Sequence, residues 1–235
     1  MSANADVLSR SELIAPVAAE RTVPPRARAR EADVWNPEDF AREQIRSMVQ
    51  HVFFASGLPP VRQVVFTAMG PNADVAGLCD QVGKALSLET RADIAVVGRE
   101  PLQAEIVHPR PKYEGSTIKC WSKQMAANLW RVPQFGLREY GEESGTGQYW
   151  ASCLTRLRNE FEYAVIQGPA ADVSGEFALL GQLADGIILV IEAHSTRKAM
   201  ARKLKKTLET TRSRILGTVL TGRRFPVPYG IYRRL

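Results

Sequence analysis

QVVFTAMGPNADVAGLCDQVGKALS, from Gln63 to Ser87, is the stretch that decides the fold. It opens on a β-branched run, Val64 to Phe66, with the composition of a short buried strand. Gly70, Pro71 and Asn72 then signal a turn. Beyond the turn, Val75, Leu78, Val82 and Leu86 recur at helical spacing, so a helix follows. Strand, tight loop and helix together make a frame in which backbone N–H groups can cradle a phosphate. A working frame of this kind carries a lysine and a hydroxyl just after its glycine-rich turn. Here Val75, Ala76 and Gly77 stand in those places. The frame is present and its chemistry is missing.

A chain of 235 residues is long enough for one sizeable α/β core plus tails. Hydrophobic content of 45% and charged content of 24% are ordinary for a globular protein. No apolar run approaches the roughly 20 residues that cross a bilayer. The first residues lack the basic-then-apolar pattern of a signal peptide, so a cytoplasmic location is expected, with peripheral attachment to the inner face of the plasma membrane as a variant. Cys79, Cys120 and Cys153 are too far apart for a metal pattern and read as reduced thiols. His51, His108 and His194 are equally scattered, and no metal site is expected. The net charge of +6 is uneven: residues 196–235 hold twelve Lys or Arg against one acid, Glu209, leaving about −5 on the remainder. Such a basic end suits an acidic partner surface: anionic lipid, nucleic acid or an acidic subunit.

Residues 1–34 are rich in Ala, Arg, Pro and Glu and lack sustained periodicity, the composition of a disordered tail, with a short helix conceivable at Ser11 to Glu20. The spacing then sets out an α/β domain over 35–222 and a basic tail over 223–235. Asn36 and Pro37 start a helix that runs to about Phe54 and places Ile45, Met48, Val49, Val52 and Phe53 on one face. Strands are expected at 94–98, 103–107, 129–132, 164–167, 186–191 and 215–220. Helices are expected at 149–160, at 176–184 and from a Ser195 cap to about Thr211. Nearly continuous apolar strands alternating with helices predict a mostly parallel central sheet covered on both faces.

In this order the elements resemble the bacterial tyrosine kinases of capsule and exopolysaccharide synthesis, which belong with the MinD/ParA-like P-loop ATPases. The resemblance covers Pro37 to the C-terminus. It is carried by EDFAREQIRSMVQHVFFAS (38–56), VVFTAMGPNADVAG (64–77), EFEYAVIQGPA (160–170), and LLGQLADGIILVIEAHSTRKAM (179–200) with ILGTVLTG (215–222). It implies a P-loop NTPase-like fold. It also implies that helix 38–54 contacts neighbouring subunits or a partner, with Glu43, Arg46 and Gln50 as the contact residues. On it, the nucleotide site falls on Gly70, Asn72, Asp74, Val75, Ala76, Gly77, Gly98, Glu100, Gln167 and Thr221. The family's lysine falls on Val75 and its two hydroxyls on Ala76 and Gly77, its Asp-x-Asp falls on Gly98 and Glu100, its second-motif aspartate on Gln167, and its adenine-reading asparagine on Thr221. Tyr229 and Tyr232 are what remains of the family's cluster of phosphorylated tyrosines.

Losing the loop lysine removes a charge pair worth up to about 4 kcal/mol at 4 Å and an effective dielectric of 20. That alone weakens binding by roughly a thousandfold. Asp74 brings a carboxylate to where phosphates should lie, and it can cap the helix itself. Lys84 lies over two turns downstream and projects away. The expectation is therefore a catalytically inactive, kinase-like scaffold without cofactor. Its partner would be a membrane chain-length (co-polymerase) protein or an active kinase paralogue, in a homo- or hetero-oligomer. The alternatives are a residual autokinase that binds ATP or ADP with magnesium weakly, and a ParA/MinD-like binder of nucleic acid or membrane. The basic run Arg197, Lys198, Arg202, Lys203, Lys205 and Lys206 motivates the last, although no base-reading motif accompanies it and nucleic acid is not expected.

Overall fold

Asn36 begins the first helix, α1 (Pro37–Phe53), by accepting the Glu38 N–H on its side chain at 2.9 Å, with Pro37 pre-set in the first turn. In this computed structural model the described residues are 36–55, 59–70, 73–98, 117–134, 146–172, 174–193 and 198–222. The expected helix Ser11 to Glu20, the expected strand 103–107, the Ser195 cap and both tails lie outside them.

The strands are β1 (Gln63–Ala68), β2 (Ile94–Gly98), β3 (Lys123–Ala126), β4 (Leu129–Pro133), β5 (Tyr163–Gln167), β6 (Gly186–Glu192) and β7 (Ile215–Thr221). The remaining helices are α2 (Val75–Glu89), α3 (Thr146–Glu160), α4 (Glu176–Leu183) and α5 (Lys198–Thr210). The strands form one sheet in the order β3-β4-β2-β5-β1-β6-β7. Every pairing is parallel except β3 with β4.

Side chains alternate across β1 and so build two cores. Val64, Phe66 and Ala68 join Val49 and Phe53 of α1 and Val75, Leu78, Val82 and Leu86 of α2 on one face. Val65 joins Trp150, Leu154 and Leu157 of α3, Leu180 of α4 and Leu204 and Leu208 of α5 on the other. Each fully buried large apolar side chain contributes about 1.5–3 kcal/mol.

Two details depart from the sequence expectation. The hairpin strand β3 was not expected, because all four of its residues are exposed and carry no apolar alternation. A short 3-10 helix, Ile118–Trp121, precedes it and buries Ile118 and Trp121 beside α3.

Candidate functional site

In a parallel sheet, ligands bind beyond the carboxyl ends of the strands. At that edge the loop after β1 is fastened by backbone bonds. Met69 N–H donates to the Val190 carbonyl at 2.9 Å. Gly168 and Ala171, after β5, donate to Phe66 and Ala68, each at 2.9 Å.

Asp74 is the N-cap of α2 and is exposed. Its Oδ1 accepts the Gly77 N–H at 2.8 Å. A Cβ at position 77 would press on that carboxylate, so glycine lets the cap sit this close and a larger residue would push the Asp74 side chain aside. Val75 N–H donates to the Ala73 carbonyl at 2.9 Å, and Leu78 N–H to the Asp74 carbonyl at 3.3 Å. Donors that would face an anion at a helix start thus already have partners within the chain. The Val75 side chain is buried in the core and Ala76 is half-buried. Lys84 is exposed in the middle of α2. Gly70 is half-buried, with open space where a Cβ would stand.

A second group meets at the ends of β2 and β5. Gly98 is buried, and a Cβ built on it would lie 3.3 Å from Arg131 Nη1 and 3.9 Å from Gln167 Oε1. Arg131, from β4, forms an ion pair with Asp80 on α2. Neither Arg131 nor Asp80 was singled out from the sequence. The available signal was a guanidinium inside the apolar strand LWRVP (129–133), where a charge needs a partner. Cys79 is buried beside this pair. Burial above all, then the Asp80 and Asp74 carboxylates, push its thiol far up despite Arg131.

Thr221 ends β7, on the far side of β6, and is not gathered with Gly98 and Gln167. Its hydroxyl donates to the Ile191 carbonyl at 3.4 Å. Asn72, Glu100, Tyr229 and Tyr232 lie outside the described residues. Glu43 and Gln50 are exposed on α1, whereas Arg46 donates through Nε to Glu89 Oε1 at 2.8 Å and ties α1 to α2. Among the described residues, no group of three or more His, Cys, Asp or Glu is placed to hold a metal.

The opposite edge of the sheet holds a polar network around a cavity of about 250 Å³ lined by Gln63, Leu154, Thr155, Arg158 and Leu183, among others. Asp185 accepts from Arg158 Nη2 and from the backbone N–H groups of Arg62 and Gln63, each at 2.8 Å. Burial works to raise the Asp185 carboxyl, but these donors outweigh it and hold the group below its ordinary value. Gln63 is buried and bonds the Leu154 carbonyl at 2.7 Å. The network joins the starts of β1 and β6 to α3, a structural task.

Over 74 residues the chain is 31% identical to the tyrosine-protein kinase YwqD of Bacillus subtilis. Over 72 residues it is 28% identical to the tyrosine-protein kinase CpsD of Streptococcus agalactiae. Each match spans only 31% of the length of the curated relative and 31% of this chain. Among solved structures, the kinase domain of Escherichia coli tyrosine kinase ETK aligns with a TM-score of 0.61 at 11% identity, covering 80% of this chain and 79% of that one. The VpsO kinase domain aligns at 0.59 and 18% identity, covering 80% and 98%. The MinD cell division protein of Aquifex aeolicus aligns at 0.53 and 15% identity, covering 74% and 73%. No protein-family model matches the chain. The chain is similar to bacterial tyrosine kinases, and its fold is that of the MinD/ParA-like P-loop NTPases.

Proposed function

We propose that this chain is a nucleotide-independent pseudokinase scaffold or regulator in bacterial exopolysaccharide or capsule biosynthesis or export. The observation that carries the proposal is the Asp74 carboxylate over the first turn of α2, bonded to Gly77 N–H at 2.8 Å. It puts a negative charge where a phosphate would sit and uses a donor the phosphate would need. No lysine stands at Val75, and the Arg131–Asp80 ion pair lies near Gly98 and Gln167, where the related kinases are expected to keep metal-directed carboxylates. A domain of this kind works by docking. Its partner is the cytoplasmic end of a membrane chain-length protein, or an active kinase paralogue, reached by the exposed residues Glu43 and Gln50 of α1 and by the basic face of α5. The protein is then cytoplasmic and peripheral to the inner membrane surface, with no cofactor.

Calorimetric titration with ATP and ADP, with and without magnesium, tests this. The expected result is no heat and no shift in melting temperature at millimolar nucleotide. Micromolar binding that needs magnesium would overturn the proposal. One observation favours a second reading: the Arg131 guanidinium is a cation within the site that the sequence pattern did not provide. On that reading the chain is a residual kinase, and Tyr229 and Tyr232 acquire phosphate when a membrane activator is added.

A further inference from the structure

The outer face of α5 is cationic across its whole width. Lys198, Arg202, Lys203, Lys205 and Lys206 are exposed, while Leu204 and Leu208 are buried in the core. At about 100° per residue the five cations spread over about 160° of arc, centred opposite the two leucines. The one acid within that arc, Glu209, pairs with Lys205 at 3.7 Å. The other four cations have no ion-pair partner among the described residues. By contrast, Arg46, Arg62, Lys119, Arg131 and Arg158 each meet a carboxylate. Lys198, Arg202 and Lys206 also follow one another at intervals of four, where like charges on a helix repel. The fold leaves that repulsion unrelieved, and an acidic surface would relieve it.

The make-up of the face says what kind of acidic surface fits. Four of its five cations are lysines, compact charges that need no fixed bidentate geometry, whereas shaped phosphate sites and nucleic acids favour the arginine fork. The helix KAMARKLKKTLET has no Asn or Gln and a single Arg with which to read base edges. It lies flush with its domain, since Met200 and Ala201 pack against the same core as Leu204 and Leu208. A flush helix offers a broad plane of charge to another plane. Between the cations the exposed positions are Ala199 and Thr210, so nothing large and apolar is available to enter a hydrocarbon layer.

We propose that the outer face of α5 lies against an anionic lipid bilayer and holds the chain there by charge alone, without insertion. This deepens the docking role given to α5 above and rests on that reading for placing the chain at the inner membrane surface. Each Lys or Arg near such a surface strengthens binding roughly fivefold.

The test is co-sedimentation of the full chain with vesicles of phosphatidylcholine containing about 30% phosphatidylglycerol, against phosphatidylcholine alone, at low salt. Binding is expected on the anionic vesicles only, and about 0.5 M salt should release it. The triple substitution Lys198→Gln, Arg202→Gln, Lys206→Gln should weaken it roughly 100-fold at an unchanged melting temperature. Lys84→Gln, Arg91→Gln, Lys123→Gln removes the same charge from exposed positions elsewhere and should change it less than about threefold. No binding to the anionic vesicles, equal effects of the two triple variants, or binding that survives high salt would overturn the proposal. Tighter binding to short duplex DNA than to vesicles at the same salt, lost in the α5 variant, would assign the face to nucleic acid and overturn it as well. No nucleotide or protein partner is present in this assay, so its failure leaves the pseudokinase reading standing, and nucleotide binding in the calorimetric titration leaves the lipid face standing.

Discussion

Replacing Asp74 separates two roles that the native residue combines. Its side chain caps α2 through the 2.8 Å bond to Gly77 N–H, and its charge occupies the place of a phosphate. Asparagine caps a helix about as well as aspartate, whereas alanine does not and costs about 1 kcal/mol. Asp74→Ala should therefore lower the melting temperature by about 2–4 °C for a domain of this size. Asp74→Asn should lower it by less, since only the attraction of the charge to the helix dipole, about 0.3–1 kcal/mol, is lost. Affinity should move differently. A unit charge 4 Å from a phosphate oxygen repels it by about 1 kcal/mol in water and about 4 kcal/mol at an effective dielectric of 20. Asp74 is exposed, so the lower figure applies. Asp74→Asn should then bind pyrophosphate or ADP about 5–10-fold better than the native chain, by titration calorimetry at low salt. Unchanged affinity in Asp74→Asn, with the melting temperature preserved, would refute the view that this carboxylate guards the site.

Three further outcomes follow from other parts of the fold. Asp185→Asn should cost about 2 kcal/mol at neutral pH, through its lost charge-assisted bonds. Because the folded carboxyl is held low, that contribution is complete above the ordinary carboxylate value of about 3.9 and is lost as pH falls through the folded value. Denaturation curves of the two proteins should thus run parallel from pH 7 to about 5 and converge in stronger acid. Of the three thiols, Cys120 is exposed while Cys79 and Cys153 are buried. A maleimide should label Cys120 alone until the chain unfolds, and mass spectrometry of the labelled peptides would check this. Gly83→Ala should destabilise by about 1–3 kcal/mol despite the better helix propensity of alanine. A Cβ there would drive into the Val96 side chain on β2, and denaturant midpoints would measure the loss.

The central sheet was legible because its strands are buried on both faces and read as unbroken apolar runs. GIILVIE of β6 and IAVVG of β2 are the plainest cases. The helices were legible from their periodicity and from the Asn36–Pro37 start. The cap by Asp74 was also readable, since an acidic side chain just before an apolar-periodic run has one obvious use. What escaped were the features that depend on distant partners. β3 has no pattern of its own and exists because β4 offers it an edge. Arg131 and Asp80 are 51 positions apart in the numbering, and only the folded sheet places β4 beside α2. Gln63 and Asp185 look like ordinary surface residues until β1 and β6 lie side by side.

The way α1 is held has a further consequence. Its second half is anchored by Val49, by Phe53 packed edge-on to Tyr163 with ring centroids 5.7 Å apart, and by the Arg46–Glu89 pair. Its first half, residues 38–44, is exposed throughout, with Phe40 43% open to solvent. A helix fastened at one end opens from the other at little energetic cost. Among the described residues, a protease should therefore find a foothold between Phe40 and Arg46. The clipped product should keep the seven-stranded sheet and the anchored half of the helix, and lose everything before the cut.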